Sequence, residues 1–261
     1  DGATAISFTY GGGTLSTGLI GSNTGLTGVT YSGTSLTLNN NIITDSGAVD
    51  ITANVNLGAD ITINTTNSGA GAAVTITGTL DGGQDLDILS GTALTSITGN
   101  IGASTPLTSL DIQQSAGAGG ITLGGNIGVA DTAGAGTTRL GNTNTTGTIT
   151  LNGTLYHTGA ATYTADAFTI GGTDPIFKTT NLGVEFAEGN VTLADAADLS
   201  VTTGNGAITF GGNILGTGGG VATDVTLNSG TQTTTVKTIG SGSNINDAVS
   251  YTHLRAHETK K

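Results

Sequence analysis

Apolar and polar positions alternate along most of this chain in bursts of three residues. Thirteen triplets read apolar–polar–apolar, at 36–38, 61–63, 74–76, 86–88, 110–112, 121–123, 149–151, 168–170, 184–186, 191–193, 199–201, 208–210 and 225–227. Alternation at period two predicts strands with one buried face. The β-branched residues that dominate the triplets suit a pleated, half-buried surface. Gly, Asn or Asp soon interrupts each run, so the predicted strands are short.

A second pattern lies over the first. Several triplets run through a Gly/Asn turn to a single aliphatic residue, as in ITLGGNIG (121–128), ITFGGNILG (208–216) and ITLNGTLY (149–156). The aliphatics after the turn are Ile42, Leu80, Ile101, Ile127, Leu155 and Ile214, with a ragged period in the twenties. Longer stretches align as well: 60–80 with 198–214 and with 110–127. Repeats of this length point to a solenoid, propeller or array. A unit of two or three such strands cannot bury its own apolar face, but stacked units bury a continuous core. The prediction is a β-solenoid whose strands pair in parallel with the turns above and below. Corner Gly supplies positive φ, which Asn also tolerates. Asn41, Asn100, Asn126 and Asn213 are candidates for side-chain ladders, with Thr79 and Thr154 in equivalent places. At about 4.8 Å per turn, nine to twelve turns would span roughly 45–60 Å. The alternative is an antiparallel β-sandwich, whose longer strands and buried Trp have no counterpart here.

Composition removes several classes. The 261 residues include 46 Gly and 53 Thr but no Cys, Met or Trp. Gly, Thr and Asn are poor helix formers. Without Cys there is no disulfide scaffold and no thiolate metal site. Two Pro exclude collagen, and no run of about 20 apolar residues supplies a transmembrane helix. The net charge is −12. Residues 1–248 hold 17 acids against Arg139, Lys178 and Lys237, so no basic stripe is available to bind nucleic acid.

The runs ITGNIGASTPLTSLDIQQSAGAGGITLGGNI (97–127) and GTLYHTGAATYTADAFTIGG (153–172) resemble the repeat regions of filamentous-haemagglutinin-like, two-partner-secretion adhesins and related bacterial β-strand-repeat surface proteins. The likeness covers about 30–248 and rests on T-P-L-x-S-L at 105–110, T-G-A-x-T-Y at 158–163 and the repeated I-T-[LF]-x-G-[NT]-[IL]. It implies a right-handed parallel β-helix exported to the bacterial outer membrane and cell surface, serving cell adhesion as the shaft of an adhesin. The family's N-terminal secretion motif of Asn-Pro-x-Gly type has no match, since the Pro residues are Pro106 and Pro175. No signal peptide and no C-terminal membrane barrel are recognisable, so the chain reads as an interior fragment of a secreted protein. The expectation is a monomeric rod that does not insert into membranes, with any host or neighbouring-cell ligand bound by other parts of the parent.

Few residues offer chemistry. Asp85 and Asp87, two apart on a strand, point to one face. Asp195 and Asp198 lie near Glu185 and Glu188 in sequence, with Lys178 the nearest base. Carboxylate clusters on one groove serve β-helix polysaccharide lyases and hydrolases, which makes a carbohydrate-active enzyme the alternative function. A cleft with several carboxylates and a base on one face would favour it. His157 is the one His of residues 1–248 and reads as a surface or loop His. Gly11-Gly12-Gly13 and Gly218-Gly219-Gly220 lack the Lys of a phosphate loop. Thr at the centre of most triplets reads as an exposed strand residue rather than an ice-ordering face. No catalytic, cofactor-binding or metal site is expected.

Residues 249–261, VSYTHLRAHETKK, break the pattern. Val249 to Thr259 resembles the in-frame translation of a transposase-type sequencing-library adapter. The expectation is two regions: a solenoid over 1–248 and a non-native tail over 249–261 that adds no turn, hangs loose or forms a stray helix. His253, His257 and Glu258 then carry no function. Codons for 249–261 that continue the natural reading frame in the source gene would rule this out.

Overall fold

The computed structural model describes residues 4–21, 26–67, 69–114, 119–143, 147–217, 223–240 and 245–252. These residues contain no helix. Their strands pair in parallel with partners about 23 residues away, giving a β-solenoid of about ten turns. At about 4.8 Å per turn the stack is roughly 48 Å long.

Each turn contributes to three faces. The first face begins with Ala5–Thr9 and continues through 28–32, 48–52, Val74–Thr77, Thr95–Ile97, Ile121–Leu123, Thr148–Leu151, 167–170, 190–193 and Ile214–Gly216. The second holds Thr14–Thr17, 35–38, 54–57, Leu80–Asp81, Leu155–His157, Ile176–Lys178, Leu199–Thr202 and Asp224–Gly230. Midway it narrows to single bridges, Leu80 to Ile101 to Ile127 to Tyr156. The cause is local: Gly102 and Gly128 follow at once with φ of 63° and 74°, which turns the chain off the face. The third face runs from Ile61–Asn64 through Asp85–Gly91, Leu107–Gln114, Ala135–Leu140, 160–163 and 184–186 to Ile208–Phe210 and Thr234–Val236.

The flanking residues of all thirteen triplets are buried. They stack in columns, for example Val49, Val74, Thr95, Ile121, Ile149, Phe168, Val191 and Ile214 on the first face. Central residues point out, so that Thr75, Ser96, Thr122, Thr150, Thr169 and Thr192 form a polar column. In the later turns aromatics replace aliphatics inside. Phe186 lies against Tyr163, Phe168, Phe177 and Phe210, with ring centroids 4.9–5.4 Å apart.

Corners carry the axial side-chain bonds. Asn126 N–H donates to Asn100 Oδ1 at 2.9 Å, and Thr154 and Leu155 N–H donate to Asn126 Oδ1 at 2.8 and 3.1 Å. Thr79 N–H bonds Asn54 Oδ1 in the same corner. The four Asn candidates fall at three different corners. Asn41 precedes the third face and accepts from Thr62 N–H, while Asn213 precedes the first face and donates to Asn190 Oδ1. By the same shift 198–214 lies one face out of phase with 60–80 and 110–127. All three corners use one strand–turn–strand grammar, so sequence similarity does not tell them apart. Leu155 also departs from its assigned slot. Its neighbour Tyr156 takes the interior position above Ile127, with its hydroxyl accepting the Gly153 N–H at 2.7 Å.

Thr is not confined to the outside. Thr44, Thr65, Ser90, Thr179, Thr203 and Ser229 are buried at strand ends. Ser90, Thr179, Thr203 and Ser229 donate to the carbonyl three residues on, closing the corner from within. The strand Asp247–Thr252 pairs with Asp224–Gly230. Residues 249–252 therefore add to the stack, contrary to the expectation of no further turn. Val-Ser-Tyr-Thr is a β-favouring run and the neighbouring strand offers it a free edge. The rest of the tail, with its expected loose or helical form, lies outside the described residues.

Candidate functional site

The third face carries the chain's densest chemistry. Alternation along Asp85–Gly91 turns Leu86 and Ile88 inward and Asp85 and Asp87 outward. Stacking then aligns Thr62, Asp87, Asp111, Arg139, Thr162, Glu185 and Thr209 in one outward column. Arg139 Nη1 stands 3.1 Å from Asp111 Oδ2, and Gln113 Nε2 donates to the same oxygen at 3.2 Å. Asp111 Oδ1 is covered and has no hydrogen-bond partner. Ser109 donates to Asp85 Oδ1 at 2.8 Å.

Beside this column the register holds only short side chains, Asp85, Ser109, Thr137 and Ala160. The result is a shallow groove, open to solvent, lined by Asp87, Asp111, Thr137, Arg139 and Thr162. It continues over Ala160 and Thr162 into a second depression that passes Gly183, Glu185 and Thr209. Burial raises the Asp87 carboxyl above its ordinary value, and the Asp111 and Asp85 charges push the same way; Arg139 opposes them. Asp111, held by Arg139 and Gln113, and Asp87, whose carboxyl burial raises above its ordinary value, are two carboxyls in unlike surroundings one turn apart. That is the raw material of general acid–base chemistry.

The other residues singled out from sequence are dispersed. Glu185 joins the third-face column, but Glu188 sits at the next corner with φ of 78°. Asp195 is exposed beyond the first face, and Asp198 Oδ1 accepts the Asp224 N–H at 2.8 Å. Lys178 lies on the second face, away from these acids, and donates to the Ala130 carbonyl. His157 is not a surface residue: it is 4% exposed and its Nδ1 bonds the Val129 carbonyl at 2.9 Å. A seven-residue excursion from the neighbouring turn covers it. Gly11, Gly12 and Gly13 form an exposed bend, and Gly218–Gly220 lie outside the described residues. Among the described residues no three His, Asp or Glu side chains converge as they would around a metal ion.

Sequence reading finds Asp85 and Asp87 but not Asp111, one turn and 24 residues beyond Asp87, or Arg139, one turn and 28 residues beyond Asp111. The available signal is the turn length itself, applied as a ruler from Asp87. No family model, curated protein or solved structure matches this chain.

Proposed function

We propose that this chain is a segment of the shaft of a secreted, surface-displayed adhesin-like repeat protein, a non-catalytic rod that holds a binding region away from the cell. The observation that carries the reading is the unbroken stack. About ten turns share continuous apolar columns, and corner side chains bond from one turn to the next. Such a body resists bending because every turn is fixed to both neighbours through backbone ladders. From Thr75 to Thr192 its outward first face is a column of hydroxyls. The likeness of 97–127 and 153–172 to adhesin repeats supports the same reading. The adhesion ligand then belongs to other parts of the parent, and this segment acts as a monomer at the cell surface.

The third-face groove favours a second reading, a β-helix carbohydrate-active enzyme. Asp87 and Asp111 have unlike surroundings, and the cationic Arg139 stands on the same face. The two readings part in a simple assay. The intact chain and the Asp87→Asn/Asp111→Asn double variant are incubated with acidic and neutral polysaccharides, and new reducing ends and unsaturated products are followed. The shaft reading expects no cleavage above background by either protein. Cleavage by the parent that is lost in the variant replaces the shaft with the enzyme.

A further inference from the structure

Seven residues, 128–134, carry the chain from Ile127 on the second face to Ala135 on the third. They form a small hairpin. Val129 N–H donates to the Thr132 carbonyl at 2.9 Å and Thr132 N–H to the Val129 carbonyl at 3.2 Å, which leaves Ala130 and Asp131 at the tip. The carbonyls of this hairpin are held from other turns. His157 Nδ1 lies 2.9 Å from the Val129 oxygen. A carbonyl only accepts, so this bond puts the proton on Nδ1. Lys178 Nζ donates to the Ala130 oxygen at 2.8 Å.

His157 and Lys178 are register neighbours on the second face. The turn of His157 follows that of Ile127, because Ile127 bridges to Tyr156, and Lys178 lies one turn further. The Lys178 bond therefore spans 48 residues and passes over a whole turn. The corner bonds described above join nearest neighbours, with separations of 21 to 29 residues.

In a solenoid, stability is close to a sum of single turns and nearest interfaces, so opening can spread one turn at a time. A bond between turns that do not touch breaks that rule. The turn holding Ile176–Lys178 cannot leave the turn holding Leu155–His157 without also releasing the hairpin tip. We infer that hairpin 128–134 is a clamp that makes three consecutive turns open as one unit, with Lys178 as its clasp and His157 as the residue that positions the hairpin. The inference goes beyond the shaft reading and stands whether or not the rod bears load.

Native-state hydrogen exchange on the whole chain tests it. In the parent protein, backbone N–H groups of 155–157 and 176–178 exchange through one common opening. Lys178→Met keeps the aliphatic stem and removes the donor. The expected result is that 176–178 exchanges roughly three- to tenfold faster while 155–157 changes less, the two openings now being separate. Lys178→Arg restores the common opening, and Lys237→Met at another surface lysine leaves it intact. Independent exchange of the two strands in the parent overturns the inference. So does an unchanged profile, or an equal acceleration of both strands, in Lys178→Met.

Discussion

The carbonyl oxygen of Gly78 lies 1.9 Å from the place where a Cβ on Gly99 would stand. The relationship repeats up the same corner. A Cβ on Gly125 would meet the Gly99 oxygen at 2.4 Å, and one on Gly153 would meet the Gly125 oxygen at 2.4 Å. Each glycine is thus fixed by the main chain of the turn before it. The reason differs from the positive φ expected of corner glycines, which in this column holds for Gly78 alone. Here the missing side chain lets two turns approach at sheet spacing.

Gly99→Ala should therefore lower stability by about 1–3 kcal/mol, the usual cost of overpacking where backbone must shift. Gly83→Ala is the control. Nothing lies within 4 Å of its Cβ position, and a surface change of that kind stays within about 0.5 kcal/mol. Urea midpoints of the two variants against the parent decide it, and equal midpoints would remove close approach as the reason for these glycines.

Asn126 Oδ1 accepts from the N–H groups of Thr154 and Leu155. Asn126→Ala leaves both donors without that partner and should cost about 1–2 kcal/mol, whereas Asn126→Asp keeps the acceptor and should cost less. Thermal melts of the pair give the order. Asp falling below Ala would show that the ladder does not act through its acceptor oxygen.

Asp174, Asp198 and Asp224 stack in one corner, where each upper N–H donates to the carboxylate below at 3.4 and 2.8 Å. Three like charges at turn spacing repel. Asp198→Asn retains the acceptor oxygen and removes the central charge, so it should raise the melting temperature, and the gain should shrink in high salt. A lower melting temperature for Asp198→Asn at low salt would contradict this.

Asp87 supplies the pH test. Burial and the Asp111 and Asp85 charges raise its folded pKa above the unfolded value. The folded state then binds more protons than the unfolded state between the two values, so stability falls as pH rises through that window. Asp87→Asn should be more stable than the parent at neutral pH, and the difference should vanish below the ordinary Asp range. Paired denaturation curves at acid and neutral pH measure it; a difference that grows on acidification would reverse the sign.

The strands were legible because each triplet is a local signal: Ile121-Thr122-Leu123 alternates regardless of what lies above it. Stacking was legible because no triplet could bury itself. The face of each triplet was not legible. Ile42, Ile101 and Ile214 follow similar turns yet belong to three different faces. Turn length also varies, from 19 residues between Ile149 and Phe168 to 28 between Ile121 and Ile149. That variation hides the register joining Asp87 to Asp111 and Arg139, and so half of the candidate site. The burial of Thr203 and Ser229 is not legible either, because a hydroxyl at a strand end reads as exposed until its carbonyl partner is located.

Pulling on the chain from its two ends in a single-molecule force measurement tests the proposed stiff rod most directly. A stack of about ten turns of about 23 residues each should stay short until a threshold force. It should then lengthen in discrete steps, each the extended length of one or more whole turns, roughly 60–100 Å per turn. Smooth lengthening at low force, with no threshold and no repeating step, would contradict the account.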